Sequence, residues 1–163
     1  MKISLIQMDL AWCDASENLR RAEELMTSNR GTVVYVLPAM FTPGFCMAPH
    51  RMAEPTDGPS LLWMRRMATQ LDAAVVGSVA VVTPEGSYRN RMYFVQPNGR
   101  VAHYDKRHLF SYSGEDRLYD AGNERVVVEF RGVRFFLQVC YDLRFPVFGR
   151  NMDDYDVALY VAN

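Results

Sequence analysis

The chain has 163 residues, enough for one domain around one buried core. Hydrophobic residues make up 49% and charged residues 23%, an ordinary globular composition, and 18 basic against 19 acidic residues leave a net charge of -1. That balance argues against a nucleic-acid or anionic-membrane partner, and no apolar run approaches the roughly 20 residues needed to span a bilayer.

Lys2 to Met8 alternates polar and apolar residues, which suits a strand, and the start from Met1 is too short for an export signal, so a cytoplasmic protein is expected. Asp14 is placed to cap a helix, with Glu17 completing a capping box. Leu19, Ala22, Leu25 and Met26 then recur at helical spacing, and Gly31 is expected to stop the helix. Thr32 to Leu37 is β-branched and apolar, a buried strand ended by Pro38. A Pro- and Gly-containing loop runs to Pro59, which is tolerated near the start of a second helix reaching Leu71. Ala73 to Val82 reads as a strand. Ser87 to Gln96 and Arg100 to Tyr104 form a hairpin across Pro97-Asn98-Gly99.

Lys106 to Glu124 has weak periodicity, and a loop of that length inside a compact domain is often functional. Arg125 to Phe130, Val133 to Val139 and Asp156 to Val161 are the last strands. The order predicts an α/β protein with one mixed sheet, covered by helices on at least one face. The chain stops at Asn163 directly after a core-like strand, so further sequence is expected beyond it.

Cysteine chemistry is the first candidate. The three cysteines, Cys13, Cys46 and Cys140, are widely spaced, so neither a disulfide framework nor a zinc site is expected. Cys140 stands where a strand meets a turn toward a short helix. There a side chain projects past the sheet, and the following N–H groups face the same space. A helix start also favours a thiolate. A buried core thiol is the alternative. Lys106, at the end of the strand to Tyr104, gains meaning beside such a thiol, because an ammonium favours the thiolate and neutralises an oxyanion.

Four ordered blocks carry a more specific signal. They are Val36-Leu37-Pro38-Ala39-Met40-Phe41-Thr42-Pro43-Gly44-Phe45, Tyr104-Asp105-Lys106-Arg107-His108-Leu109-Phe110, Gly114-Glu115-Asp116 with Ala121-Gly122-Asn123-Glu124, and Val139-Cys140-Tyr141-Asp142-Leu143-Arg144-Phe145-Pro146. Together they resemble the nitrilase superfamily of carbon–nitrogen hydrolases, in detail its omega-amidase-like branch, over its N-terminal and central part. The resemblance implies an α-β-β-α sandwich, here incomplete at the C-terminal end, within a single domain over residues 1–163.

It also implies hydrolysis of the amide bond of a small linear carboxylic-acid amide through a cysteine thioester. Cys140 is then the nucleophile, Lys106 the oxyanion-stabilising cation, and Glu115 an orienting glutamate that assists proton transfer. The backbone N–H of Tyr141 is a second oxyanion donor. Phe45 is expected to line the substrate pocket. Arg144 is expected to attract a substrate carboxylate or to pair with Asp142 or Glu115. No metal or organic cofactor is implied, and a homodimer is the expected assembly.

One residue departs from the pattern. The resemblance calls for a glutamate after Leu37-Pro38, and this sequence has Ala39. Alanine cannot move a proton, and general acid–base catalysis is worth about 10²–10⁴-fold. Glu115 is the nearest substitute. Glu54 and Glu85 read as solvated surface groups, Cys46 as a packed loop thiol, and His50, His103 and His108 are not expected to act as bases. An inactive relative that binds a ligand or partner remains the alternative reading, with an unrelated α/β binding module behind it.

Overall fold

A computed structural model describes all residues, 1–163. Nine strands and four α-helices alternate: β1 (Ile3–Leu5), α1 (Ala15–Ser28), β2 (Val34–Val36), α2 (Pro49–Met52), β3 (Glu54–Pro55), α3 (Pro59–Leu71), β4 (Ala74–Val82), β5 (Tyr88–Val95), β6 (Val101–Asp105), β7 (Val127–Phe130), β8 (Val133–Val139), α4 (Pro146–Gly149) and β9 (Val157–Val161). Short 3₁₀ turns cover Ser111–Ser113, Glu115–Arg117 and Cys140–Arg144. The loop expected from Pro38 to Pro59 therefore contains a one-turn helix and a short strand. No helix is long and apolar enough to cross a membrane.

The strands form two sheets, as the resemblance to an α-β-β-α sandwich implies, where the order of elements alone suggested one. Six strands make the larger, in the order β1-β2-β4-β5-β6, with β3 also pairing β4; β7-β8-β9 make the smaller. In the larger, β1, β2 and β4 are parallel, and β4, β5 and β6 are antiparallel in succession. In the smaller, β8 is antiparallel to β7 and parallel to β9.

Two cores follow from the two-residue period of the strands. Tyr35, Val75, Val79 and Val95 face Ala22, Met26, Met64 and Met67 of α1 and α3. The alternate residues Val34, Val36, Val76 and Phe94 face Phe135, Leu137, Val139, Leu159 and Val161 of the small sheet. The larger sheet is thus buried on both sides, which explains the unbroken apolar run of β2. Phe94 lies between Phe130 and Phe135, with centroids at 5.9 and 5.4 Å. The layers are helix, sheet and sheet.

Asp14 caps α1 as expected, its carboxylate accepting from the Glu17 N–H at 3.0 Å. The reciprocal half of the capping box is absent. The Glu17 carboxylate turns instead to Arg20 and Arg21, each at 2.7 Å, because a bidentate guanidinium is the stronger donor. The helix ends at Ser28, ahead of Gly31. At α3 the capping side chain comes from Glu54, whose carboxylate accepts from the Ser60 N–H at 2.8 Å and the Ser60 hydroxyl at 2.6 Å. Glu54 is thus a structural cap, half-buried, and not the solvated group expected of it.

Candidate active site

Strand direction gathers the candidate residues at one edge. β2, β4 and β6 run the same way, so their C-terminal ends share that edge. Ala39 follows β2, and Lys106 follows β6 directly. The Ala39 N–H donates to the carbonyl of Ala162, just past the end of β9, at 3.1 Å. Since β8 and β9 are parallel and paired through Val139 and Val161, the end of β8, where Cys140 sits, reaches the same place.

Lys106 and Glu115 form a buried ion pair. The Nζ to Oε2 distance is 2.7 Å, with the two side chains 1% and 0% exposed. The same Oε2 accepts from the Phe110 N–H at 2.7 Å, and Oε1 accepts from Asn90 Nδ2 at 2.9 Å. Glu115 thus spends both oxygens on fixed donors, which is what a buried carboxylate requires. Nearby, burial and then the Glu115 charge push the Tyr119 phenol above its usual range. The Phe45 ring centroid lies 5.9 Å from the Lys106 ammonium.

The strand end before Lys106 is shaped by a close backbone approach. The Gly122 N–H donates to the Lys106 carbonyl at 2.9 Å. A Cβ at Gly122 would collide with the Asp105 main chain, so only glycine fits.

Asp142 joins this segment to the Cys140 turn. It is buried, and its Oδ2 accepts from the Val139 N–H at 3.0 Å and the Tyr104 hydroxyl at 2.8 Å. Its Oδ1 accepts from the His108 N–H at 2.9 Å and from His108 Nδ1 at 2.7 Å. The contact places the proton on Nδ1. The His108 ring stacks on Phe145 at 3.8 Å. Burial first, and the Asp142 charge second, keep the Tyr104 phenol protonated well above its usual range. Cys140 itself is half-buried and takes φ 46°, a left-handed conformation that costs a non-glycine residue about 1–3 kcal/mol. Met40, next to Ala39, shares it at φ 47°.

Arg144 does not pair with Asp142 or Glu115, since other donors fill both carboxylates. It lines a cavity of about 660 Å³ with Arg107, His108, Phe145 and Arg150, beside the Cys140 turn. The Tyr141 ring packs edge-on against Phe110 and Phe145, with centroids at 5.0 and 5.4 Å. The sequence reading missed Asn90 and the hub at Asp142. Asn90 had a signal, as a residue that strands disfavour inside β5. For Asp142 the only signal was its place three residues after Val139.

The carbon–nitrogen hydrolase family model matches residues 2–163. The chain belongs to the carbon–nitrogen hydrolase family. Within the family, the omega-amidase YafV of Yersinia enterocolitica is 50% identical over the whole chain, which covers 63% of that protein. The 2-oxoglutaramate amidase of Bacillus subtilis is 31% identical over 88% of the chain and 57% of its own length. A crystal structure of XC1258 from Xanthomonas campestris, a member of the superfamily with an arsenic adduct in its active site, superposes with TM-score 0.94 at 42% identity. That match covers 99% of this chain and 64% of the other. The chain thus spans a little under two thirds of these relatives, and its fold is that of the nitrilase superfamily.

Proposed function

We propose that this chain carries the catalytic centre of an amidase that cleaves small linear carboxylic-acid amides through a cysteine thioester. The observation that carries the reading is the buried Lys106–Glu115 pair, 2.7 Å apart, at the strand-end edge that also holds Cys140. In a dry site a fixed ammonium stabilises a developing oxyanion far better than water does.

In the proposed chemistry the Cys140 thiolate attacks the amide carbon. Negative charge gathers on the carbonyl oxygen, facing the Lys106 ammonium and the Tyr141 backbone N–H. The C–N bond breaks as the nitrogen takes up the proton given up by the Cys140 thiol, ammonia leaves, and a thioester remains. Water then attacks the thioester, releasing the acid and restoring the thiol. Glu115 acts as a positioning residue that holds Lys106, because Lys106, Phe110 and Asn90 occupy its oxygens. Phe45 forms an apolar wall. Arg144, exposed beside the Cys140 turn, supplies a cation for a substrate carboxylate, in keeping with the names of the omega-amidase and 2-oxoglutaramate amidase relatives. The reaction needs no cofactor. Assembly as a homodimer is part of the proposal, with exposed Leu143 of the Cys140–Arg144 turn and Val147 of α4 as candidate contacts.

Ala39 favours a second reading. It offers only a methyl group, 2% exposed, where the resemblance calls for the general base, and Glu115 is committed elsewhere. A ligand- or partner-binding relative without turnover fits that residue. Intact-mass spectrometry after incubation with 2-oxoglutaramate separates the two. An acyl adduct on Cys140, absent in Cys140→Ser, supports the amidase reading; folded protein with no adduct supports the scaffold. If the amidase reading holds, Ala39→Glu raises ammonia release by about 10²–10⁴-fold.

A further inference from the structure

The loop that carries Phe45 also carries one member of a pair of sulfurs that does not include Cys140. Cys13 and Cys46 stand 33 positions apart, yet their Sγ atoms lie 3.0 Å from each other. Both are free thiols, Cys13 exposed and Cys46 buried. A disulfide bond measures about 2.05 Å, so bonding needs an approach of roughly 1 Å.

The main chains on either side are already held together. The Cys13 N–H donates to the Pro43 carbonyl at 2.9 Å. The fully buried Asn18 amide donates to the Ala11 and Thr42 carbonyls, both at 2.8 Å, and accepts from the Ala11 N–H at 2.7 Å. Trp12 packs over Gly44, where an added Cβ would sit 3.5 Å from its ring. Loop closure has thus been accomplished by hydrogen bonds before any sulfur chemistry.

We propose that Cys13 and Cys46 form a redox-reactive dithiol that a peroxide converts to an intramolecular disulfide, locking the Phe45 loop to the start of α1. Exposed Cys13 meets the oxidant. Its thiolate attacks one peroxide oxygen, an S–O bond forms, the O–O bond breaks, and hydroxide leaves to take up a proton. The Cys46 thiolate then attacks the Cys13 sulfur, the S–S bond forms, and the S–O bond breaks with loss of water. Overall two thiols give up two electrons and two protons, and one hydrogen peroxide becomes two waters.

The Cys13 thiol is held above the usual cysteine range, chiefly by its hydrogen bond to the Cys46 sulfur. Its thiolate is a minor form at neutral pH, so conversion runs under peroxide excess. The product stiffens the wall beside Lys106, since Phe45 precedes Cys46 and the Tyr119 hydroxyl donates to the Cys46 carbonyl at 3.4 Å. None of this depends on the amidase reading.

The test is peroxide treatment of the purified chain, alkylation of remaining thiols, and peptide mapping without reductant. The expected result is a linked peptide pair containing Cys13 and Cys46 and a Tm rise of roughly 5–10 °C, reversed by dithiothreitol. Cys140→Ser keeps both effects. Cys13→Ser and Cys46→Ser each abolish both, so a folding defect in one variant does not hide the answer. The proposal is overturned if Cys13 and Cys46 stay alkylatable, if they accumulate as separate sulfinic acids, or if either is linked to Cys140 instead.

Discussion

Glu115 shows how much a single buried carboxylate holds. Glu115→Gln leaves the Lys106 ammonium in the interior with no counter-charge. Removing one partner of a buried pair costs about 3–5 kcal/mol, and urea denaturation reads that loss. The double change Lys106→Met with Glu115→Leu recovers only part of it: neither charge then has to be desolvated, but Asn90 and the Phe110 N–H lose their acceptor. Asp142 faces four donors and offers four acceptor positions. Asp142→Asn turns an NH₂ group toward two of those donors. The expected cost is about 2–3 kcal/mol, with a changed rate of Cys140 alkylation as the turn shifts. A purely local structural role for Asp142 leaves that rate unchanged.

Elements at the surface carry a pH dependence. In α1, hydrogen bonds from Arg20 and Arg21 hold the Glu17 carboxyl at about 2, below its ordinary value of 4.5. Ahead of β9, hydrogen bonds from the Arg134 side chain and N–H hold Asp156 at about 2, below 3.8. Both groups bind fewer protons folded than unfolded. Their stabilisation is therefore present above the unfolded values and is lost as pH falls from about 4.5 to 2. Tm measured across that window is expected to fall more steeply in the parent chain than in Glu17→Gln combined with Asp156→Asn. Both pairs are solvent-exposed, so added salt should blunt the difference.

The whole molecule depends on contact between the two sheets, with Phe94 at its centre, fully buried against Phe130 and Phe135. Phe94→Ala is expected to cost about 3–5 kcal/mol in chemical denaturation. Because Tyr104 and Asp142 bridge the sheets at the site, the same variant should also speed alkylation of Cys140.

Local chemistry was readable along the chain. The cap at Asp14, the hairpin at Asn98-Gly99 and the apolar strands are written in neighbouring residues, and four short motifs single out Cys140, Lys106 and Glu115 as candidates. Pairing between distant strands was not readable. Alternation places a residue on a face without saying which sheet that face meets, so the two sheets come from the resemblance and not from the pattern of elements. The same holds for Asn90 on Glu115, for Asp142 spanning Val139, Tyr104 and His108, and for Cys13 against Cys46. In each of these, groups far apart in sequence meet only after the sheets have stacked, and the distances that decide hydrogen bonding and sulfur chemistry are set by that packing.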